Sequence, residues 1–321
     1  MPHYRSFSNT DPPALVHLWQ SIAAESQHFS PISLELLEKH VLSKPYFDHS
    51  GMQLAFDDRD QLIGFAHAGF GPNEKKTDIS TENGVICLIL ISPECSKPEE
   101  IGAGLMGRCE SYLVERGAKR IFGGAVRPCA PFYLGLYGGS EPLGVFESDH
   151  VATDLFSHGG YERIHNTLRY QLNLAGYRPP MNRRLLQWRR QVSLDYDDSP
   201  RSSHWWEACM MCDFHWLRAT AKKVGDDRPI ASGKVRLMDC TEDGCMIPST
   251  AGLMDIRVAK EYRRQGLATF ILREMFLALD KMDVSTVEAQ ANENDGPLRK
   301  LLESLSMKVV ENGAVFRKEV D

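Results

Sequence analysis

Apolar positions along the chain follow two rhythms, every third or fourth residue in some stretches and unbroken or alternating in others. A short strand over residues 4–7 leads to Asp11-Pro12-Pro13, where Asp can cap a helix and Pro suits its first turn. Leu15, Leu18, Trp19 and Ile22 then share one helix face. Residues 53–56 and 62–70 flank the polar turn Asp57-Asp58-Arg59-Asp60, the pattern of an antiparallel hairpin. The unbroken run Val85-Ile86-Cys87-Leu88-Ile89-Leu90 predicts a buried central strand, which stops at Ser92-Pro93. Glycine-punctuated Ile101-Gly102-Ala103-Gly104-Leu105 leads into a helix through Leu113, and 119–125 supplies another strand.

The later chain repeats this order with little residue identity. Strands are predicted over 229–238, 252–258 and 285–289, an amphipathic helix over 264–279, a helix over 298–305 and a closing strand over 314–318. Strand, basic or glycine-rich loop, helix, strand thus occurs twice, the mark of an internal duplication at domain scale. Gly and Pro punctuate Ala175-Gly176-Tyr177-Arg178-Pro179-Pro180, which places the boundary there. The predicted units are residues 1–176, a linker helix within 177–191, and 192–321. The polar stretch 195–203 is expected to be a loop.

Composition narrows the classes. With 321 residues, 42% hydrophobic and 25% charged, the chain reads as an ordinary globular protein with room for two cores. A formal charge of -6 argues against a nucleic-acid partner, since phosphate neutralisation needs a basic stripe. No apolar run approaches the roughly 18 residues that cross a bilayer, and the first residues lack an apolar leader, so no membrane partner and a cytoplasmic location are expected. The 8 cysteines are expected to be reduced thiols, mostly small core residues. Cys209, Cys212, Cys240 and Cys245 can also be read as a four-thiolate zinc set, although the second pair is spaced loosely and the surroundings are apolar; no metal is assigned. Neither a phosphate-binding lysine loop nor a dinucleotide fingerprint is present, which removes nucleotide hydrolysis and hydride transfer.

The most informative stretch runs from Asp255 through Thr269. A buried strand ends at Val258, a short basic loop follows, and a helix starts near Gln265. The start of a helix carries four unpaired N–H donors and a partial positive charge, and so suits an anion. Gly266 leaves the backbone bare where a phosphate must come close, and Arg263 and Arg264 add charge. The plainer reading is a solvated basic turn before an ordinary helix.

This arrangement resembles the GNAT superfamily of acyl-coenzyme A dependent N-acetyltransferases, whose loop reads Gln/Arg-x-x-Gly-x-Gly/Ala; Arg263, Gly266 and Ala268 fill the three defined places. Two such units in one chain are similar to the arrangement of the mycothiol synthases. The resemblance implies an α/β fold of two tandem GNAT-like domains, each a mixed central sheet flanked by helices. It also implies acetyl-coenzyme A (acetyl-CoA) as cosubstrate and a small-molecule or peptide amine as acceptor, attacking the thioester directly. Ile256, Arg257 and Val258 would offer backbone groups to the pantetheine arm. The amides of Arg264, Gln265, Gly266, Leu267, Ala268 and Thr269 would receive the pyrophosphate, with Arg263 beside them. Asn294 falls where the family often contacts the coenzyme, with Asn292 a near alternative, and the N–H of Val258 is the implied donor to the thioester oxygen.

The chain also departs from the family. Many relatives place a Tyr in the last helix to protonate the leaving thiolate, where this chain has Leu302; Tyr262, Tyr133 and Tyr137 are possible substitutes. Asp255 and Glu288 are candidate general bases on the central strands, or else strand-edge carboxylates facing water or a neighbouring Arg. In the first half, Gly102 and Gly104 reproduce the two glycine places, yet Glu99 and Glu100 stand where the second half has its arginines, and Phe156 replaces the expected Tyr. The aromatic and glycine-rich insert 131–141 can line an acceptor pocket or form a packed hairpin. Two rival readings follow: a non-catalytic acyl-CoA binding or sensing protein, and an active site in the N-terminal half.

Overall fold

A computed structural model of the chain describes residues 2–25, 32–127, 129–134, 136, 140–179, 182–211, 214–238 and 250–320. The first half runs β1 (His3–Ser6), α1 (Pro12–Glu25), α2 (Leu34–Leu37), β2 (Met52–Phe56), β3 (Leu62–Pro72), β4 (Ile79–Ile91), α3 (Pro98–Glu115), β5 (Arg120–Gly123), β6 (Val145–Phe146), α4 (His150–His158) and β7 (Glu162–Asn173). The second runs α5 (Arg183–Gln191), β8 (Val192–Asp197), α6 (Trp205–Met211), β9 (His215–Lys223), β10 (Pro229–Leu237), β11 (Thr250–Val258), α7 (Leu267–Asp280), β12 (Thr286–Asn292), α8 (Gly296–Ser304) and β13 (Lys308–Glu319). The predicted hairpin is β2 and β3. Its turn is fixed by the Asp57 carboxylate, which accepts from the amides of Arg59 and Gln61 at 2.8 and 2.9 Å.

One mixed sheet carries all these strands in the order β1-β2-β3-β4-β5-β13-β7-β12-β11-β10-β9-β8, with β6 against β13. The closing strands are exchanged: β13, from the second half, lies between β5 and β7 of the first, and β7 lies between β13 and β12. Ala314 and Phe316 therefore belong to the core formed with α3 and α4, while Tyr170 and Leu172 of β7 belong to the core around α7.

Two expectations need correction. Gly102 and Gly104 lie inside α3, not in a loop before it. A Cβ on Gly102 would stand 2.3 Å from Leu155 Cδ1, and one on Gly104 2.5 Å from the Tyr4 hydroxyl, so both glycines admit close neighbours and neither shapes a phosphate loop. Residues 192–197 form the edge strand β8, paired with β9, where a loop was expected over 195–203. An edge strand exposes one side and tolerates the polar sequence there.

In the first core His67 is fully buried, 2.8 Å from the Tyr133 hydroxyl through Nδ1 and stacked on Phe132 at 4.2 Å. Burial holds its imidazole down at about 3, against 6.5 in the unfolded chain. Between those values the unfolded chain binds a proton that the folded chain refuses, so stability is present above 6.5 and falls as the pH drops, by about 1.4 kcal/mol per unit. His67→Gln keeps a polar partner for Tyr133 and removes the titration. Urea denaturation is expected to show wild type losing roughly 2 kcal/mol more than the variant between pH 6.5 and 5.

Candidate functional site

Strands β11 and β12 run parallel only at Thr250, Ala251 and Gly252, opposite Thr286, Val287 and Glu288. Beyond that point they splay. From Leu253 onward β11 pairs only with β10, while β12 continues against β7. The pairing with β10 shifts between Lys234 and Val235, which leaves Met254 as the extra residue of a bulge at the start of the wedge. The wedge opens into a cleft of ≈ 840 Å³, walled by residues 253–258, by Pro297, Leu298 and Leu301 of α8, and by the start of α7.

That helix start, like that of α3, has no side-chain cap. Helices α2, α4, α5 and α8 are capped by Ser33, Asp149, Asn182 and Asp295, whereas Gly266 at the cap of α7 supplies no side-chain bond. The first-turn amides of α7 consequently lack both an intrahelical and a side-chain acceptor. Left-handed backbone at Arg264 (φ 62°) and Gly266 (φ 82°) is the kind of turn that aims successive N–H groups at one concave side. A Cβ on Gly266 would meet nothing within 4 Å, so open space lies in front of it. Arg263 Nε donates to the Val258 carbonyl at 2.9 Å and Trp188 Nε1 to the Gln265 carbonyl at 2.8 Å, which fix the loop from both sides. Among the described residues neither Arg263 nor Arg264 pairs with a carboxylate. The corresponding turn of α3 carries Glu99 and Glu100, and Lys97 is already paired to Glu100 at 2.7 Å.

Ile256, Arg257, Val258, Arg263, Arg264, Gly266, Leu267, Ala268, Thr269 and Asp255 all line the cleft, and Gln265 lies in the loop, fixed through its carbonyl. Glu288 does not line it. Its carboxylate is buried beside Arg169 at 3.7 Å and accepts from Gln171 Nε2 at 3.3 Å, as part of the packing between β12 and β7. Neither Asn292 nor Asn294 is among the lining residues; the Asn292 side chain accepts from the Asn294 amide at 2.8 Å, and Gln290 and Asp295 occupy the cleft wall instead. Leu302 is fully buried in the core of the second half and Phe156 in that of the first, stacked on Phe316 at 5.6 Å. Tyr262 reaches the cleft, whereas Tyr133 is buried with His67. Tyr137, Cys212, Cys240 and Cys245 lie outside the described residues. Among the described residues no cluster of His, Cys, Asp or Glu could hold a metal, and no helix is long and apolar enough to cross a membrane.

Sequence reading missed a second set of residues where the halves meet. Ser140 packs on Gly252, where a Cβ would stand 2.5 Å from its own Cβ, and donates to Gln290 Oε1 at 3.1 Å. Gln290 Nε2 donates to the Glu141 carbonyl. Glu141 pairs with Arg127, whose Nη1 donates at 3.3 Å to the carbonyl of the bulged Met254. Glu207 pairs with Lys234 at 2.7 Å; burial pushes its carboxyl up, but the bonds from Lys234 and Ser203 prevail and hold it at about 2. The only sequence signal was the unusual insert 131–141, of which Glu141 is the last residue.

No family model and no curated protein matches the chain. Solved structures do. The fold is that of the GCN5-related N-acetyltransferases, the GNAT fold. More particularly it is the tandem form, two GNAT units in one chain. A tandem GNAT protein from the clavulanic acid biosynthesis pathway superposes with a TM-score of 0.69 at 12% identity, over 99% of this chain and 98% of that one. A GCN5-related N-acetyltransferase from Sphaerobacter thermophilus gives 0.65 at 14%, over 99% and 95%. The glucosamine N-acetyltransferase region of a fungal multi-domain GH3 beta-N-acetylglucosaminidase gives 0.70 at 14%, and this chain spans 38% of that protein's length.

Proposed function

We propose that the chain is an acetyl-CoA-dependent N-acetyltransferase whose coenzyme sits in the β11–β12 wedge and whose acceptor is a small-molecule or peptide amine. The observation that carries this is the uncapped start of α7, beside two guanidiniums that pair with no carboxylate among the described residues, opening on the wedge. In the proposed complex the amides of residues 264–269 take the pyrophosphate, and the exposed edge of β11 over Ile256–Val258 takes the amide groups of the pantetheine arm. The bound thioester supplies an activated acetyl group. The Val258 N–H is assigned to its oxygen, where it would stabilise negative charge as the amine attacks. Everything else is proximity and proton handling. Acid residues at the start of α3, together with the glycines buried inside it, favour the second half as the catalytic unit. The division into units 1–176 and 192–321 is part of the same proposal, supported by the repeated strand order and modified by the exchanged closing strands.

Isothermal calorimetry with coenzyme A and acetyl-CoA tests the reading. Micromolar binding of both is expected, and a chain that takes up neither overturns it. The buried Leu302 favours one rival, a coenzyme sensor without turnover. Thiol release over an amine panel separates the two, because a sensor binds tightly and releases no thiol with any amine.

A further inference from the structure

A second cavity, of ≈ 110 Å³, adjoins the coenzyme wedge and shares Met254, Asp255 and Arg257 with it. Both halves build it. Its apolar wall is Leu134 from the insert, Trp206, Met210 and Met211 from α6, Trp216 from β9, and Met254 of the bulge. Helix α6 is held against the first half by the Trp206 amide, which donates to the Lys76 carbonyl at 3.1 Å, and by Trp206 stacking on Tyr46 at 4.7 Å. The wall is therefore a fixed surface of flat rings and adaptable thioethers, suited to a compact apolar body.

Its charges are already spoken for. Each of its three carboxylates has a cation beside it: Glu141 has Arg127, Glu207 has Lys234, and Asp255 has Arg257 at 2.6 Å. Lys76, exposed at the rim, is the surplus. A diamine or polyamine would find no uncompensated carboxylate for its second charge and would meet Lys76 instead. A sugar amine would turn several hydroxyls toward the Trp and Met wall, and each one left without a partner there costs about 1–3 kcal/mol.

We propose that this cavity is the acceptor site, that it takes a primary monoamine on a compact apolar or aromatic body, and that Glu141 receives the ammonium proton. The proposal rests on the coenzyme reading above. In the step, the ammonium gives one proton to the Glu141 carboxylate and the freed nitrogen lone pair forms the new C–N bond at the thioester carbon. The C–S bond breaks with its electron pair on sulfur, the second nitrogen proton goes to the thiolate, and Glu141 later returns its proton to water. Glu141 is placed for this by Arg127, which ties it to the Met254 carbonyl at the splay. Burial raises its carboxyl above the usual range, although Arg127 opposes this, and a stronger base is a better proton acceptor.

Thiol release and calorimetry with tryptamine, 2-phenylethylamine, putrescine and glucosamine test this on the full chain. The two aromatic amines are expected to exceed putrescine and glucosamine at least roughly tenfold in kcat/KM. Glu141→Gln should lower kcat about 100-fold, the scale of a lost general base, with KM and coenzyme A affinity little changed. Lys76→Glu, a change at an exposed side chain, should narrow the gap to putrescine. Coenzyme binding without any binding or turnover of the aromatic amines overturns the proposal, as does wild-type behaviour of both variants. If coenzyme A itself fails to bind, the transfer reading falls; tryptamine binding would then retain the cavity as an amine site and sink only its role in acetylation.

Discussion

Gly266→Asp is expected to lower coenzyme A affinity about 100-fold, measured by calorimetry, while the melting temperature moves by only a few degrees. Open space surrounds the Cβ direction of Gly266, so no wall is pushed aside. Asp visits the left-handed region more readily than most residues; the strain there, about 1 kcal/mol, is partly returned by a carboxylate at a helix start, worth about 0.3–1 kcal/mol. Stability should stay nearly level. Binding should not, because the new charge would sit beside the amides that are to receive a diphosphate. One unit charge about 5 Å from another costs roughly 3 kcal/mol at an effective dielectric near 20, and the diphosphate carries more than one. Salt and solvent screening reduce that sum, and roughly 3 kcal/mol of loss corresponds to about two decades in affinity. Gly266→Asn has nearly the same shape without the charge and should lose much less. Equal losses in the two variants would assign the effect to bulk, and no loss in either would move the coenzyme away from α7.

The features legible in the sequence were those confined to short stretches of chain. The central strand β4 read correctly because burial on both faces forces a continuous apolar run, whereas β11 is buried only over residues 251–254 and turns half-exposed from Asp255 onward. The strand end, basic turn and helix start between β11 and α7 read correctly because all three fall between Asp255 and Thr269. Gly102 and Gly104 misled because a glycine needed for close packing inside a helix looks the same as one needed for a turn; only Tyr4 and Leu155, distant in sequence, distinguish them. Glu288 looked like a base because it is an acid on a central strand, and its burial against Arg169 depends on β7, more than a hundred residues earlier, as their 117-residue separation from Gln171 to Glu288 shows. The second cavity was out of reach for the same reason. Glu141, Glu207 and Asp255 are brought together only by the docking of one half on the other.

The exchange of closing strands was equally invisible, since alternation along β7 and β13 is the same whichever sheet edge they join, and it leads to an unusual stability result. Phe316→Ala, a change five residues from the C-terminus, is expected to cost about 3–5 kcal/mol and to unfold the first half as readily as the second. The ring is 2% exposed and packs on Phe156 in the core made by α3 and α4. Its strand also supplies hydrogen bonds to β5 on one side, from Phe316 opposite Gly123 to Glu319 opposite Arg120, and to β7 along the other. A loss of this size is a large part of the 5–15 kcal/mol typical of folded domains. Because each half completes the other's sheet, urea unfolding followed by Trp19 in the first half and Trp188 in the second, each isolated by replacing the remaining tryptophans with Phe, should give coincident transitions. Two separated transitions, with Phe316→Ala moving only one, would mean that the exchanged strands do not couple the cores. Cutting the chain between residues 179 and 182 sharpens the test. Either fragment alone is left with an unpaired sheet edge and a stranded apolar strand, and is expected to aggregate, whereas co-expression should restore a folded pair. A second-half fragment that folds alone would show that β13 can close its own sheet, and that the exchange is not required for stability.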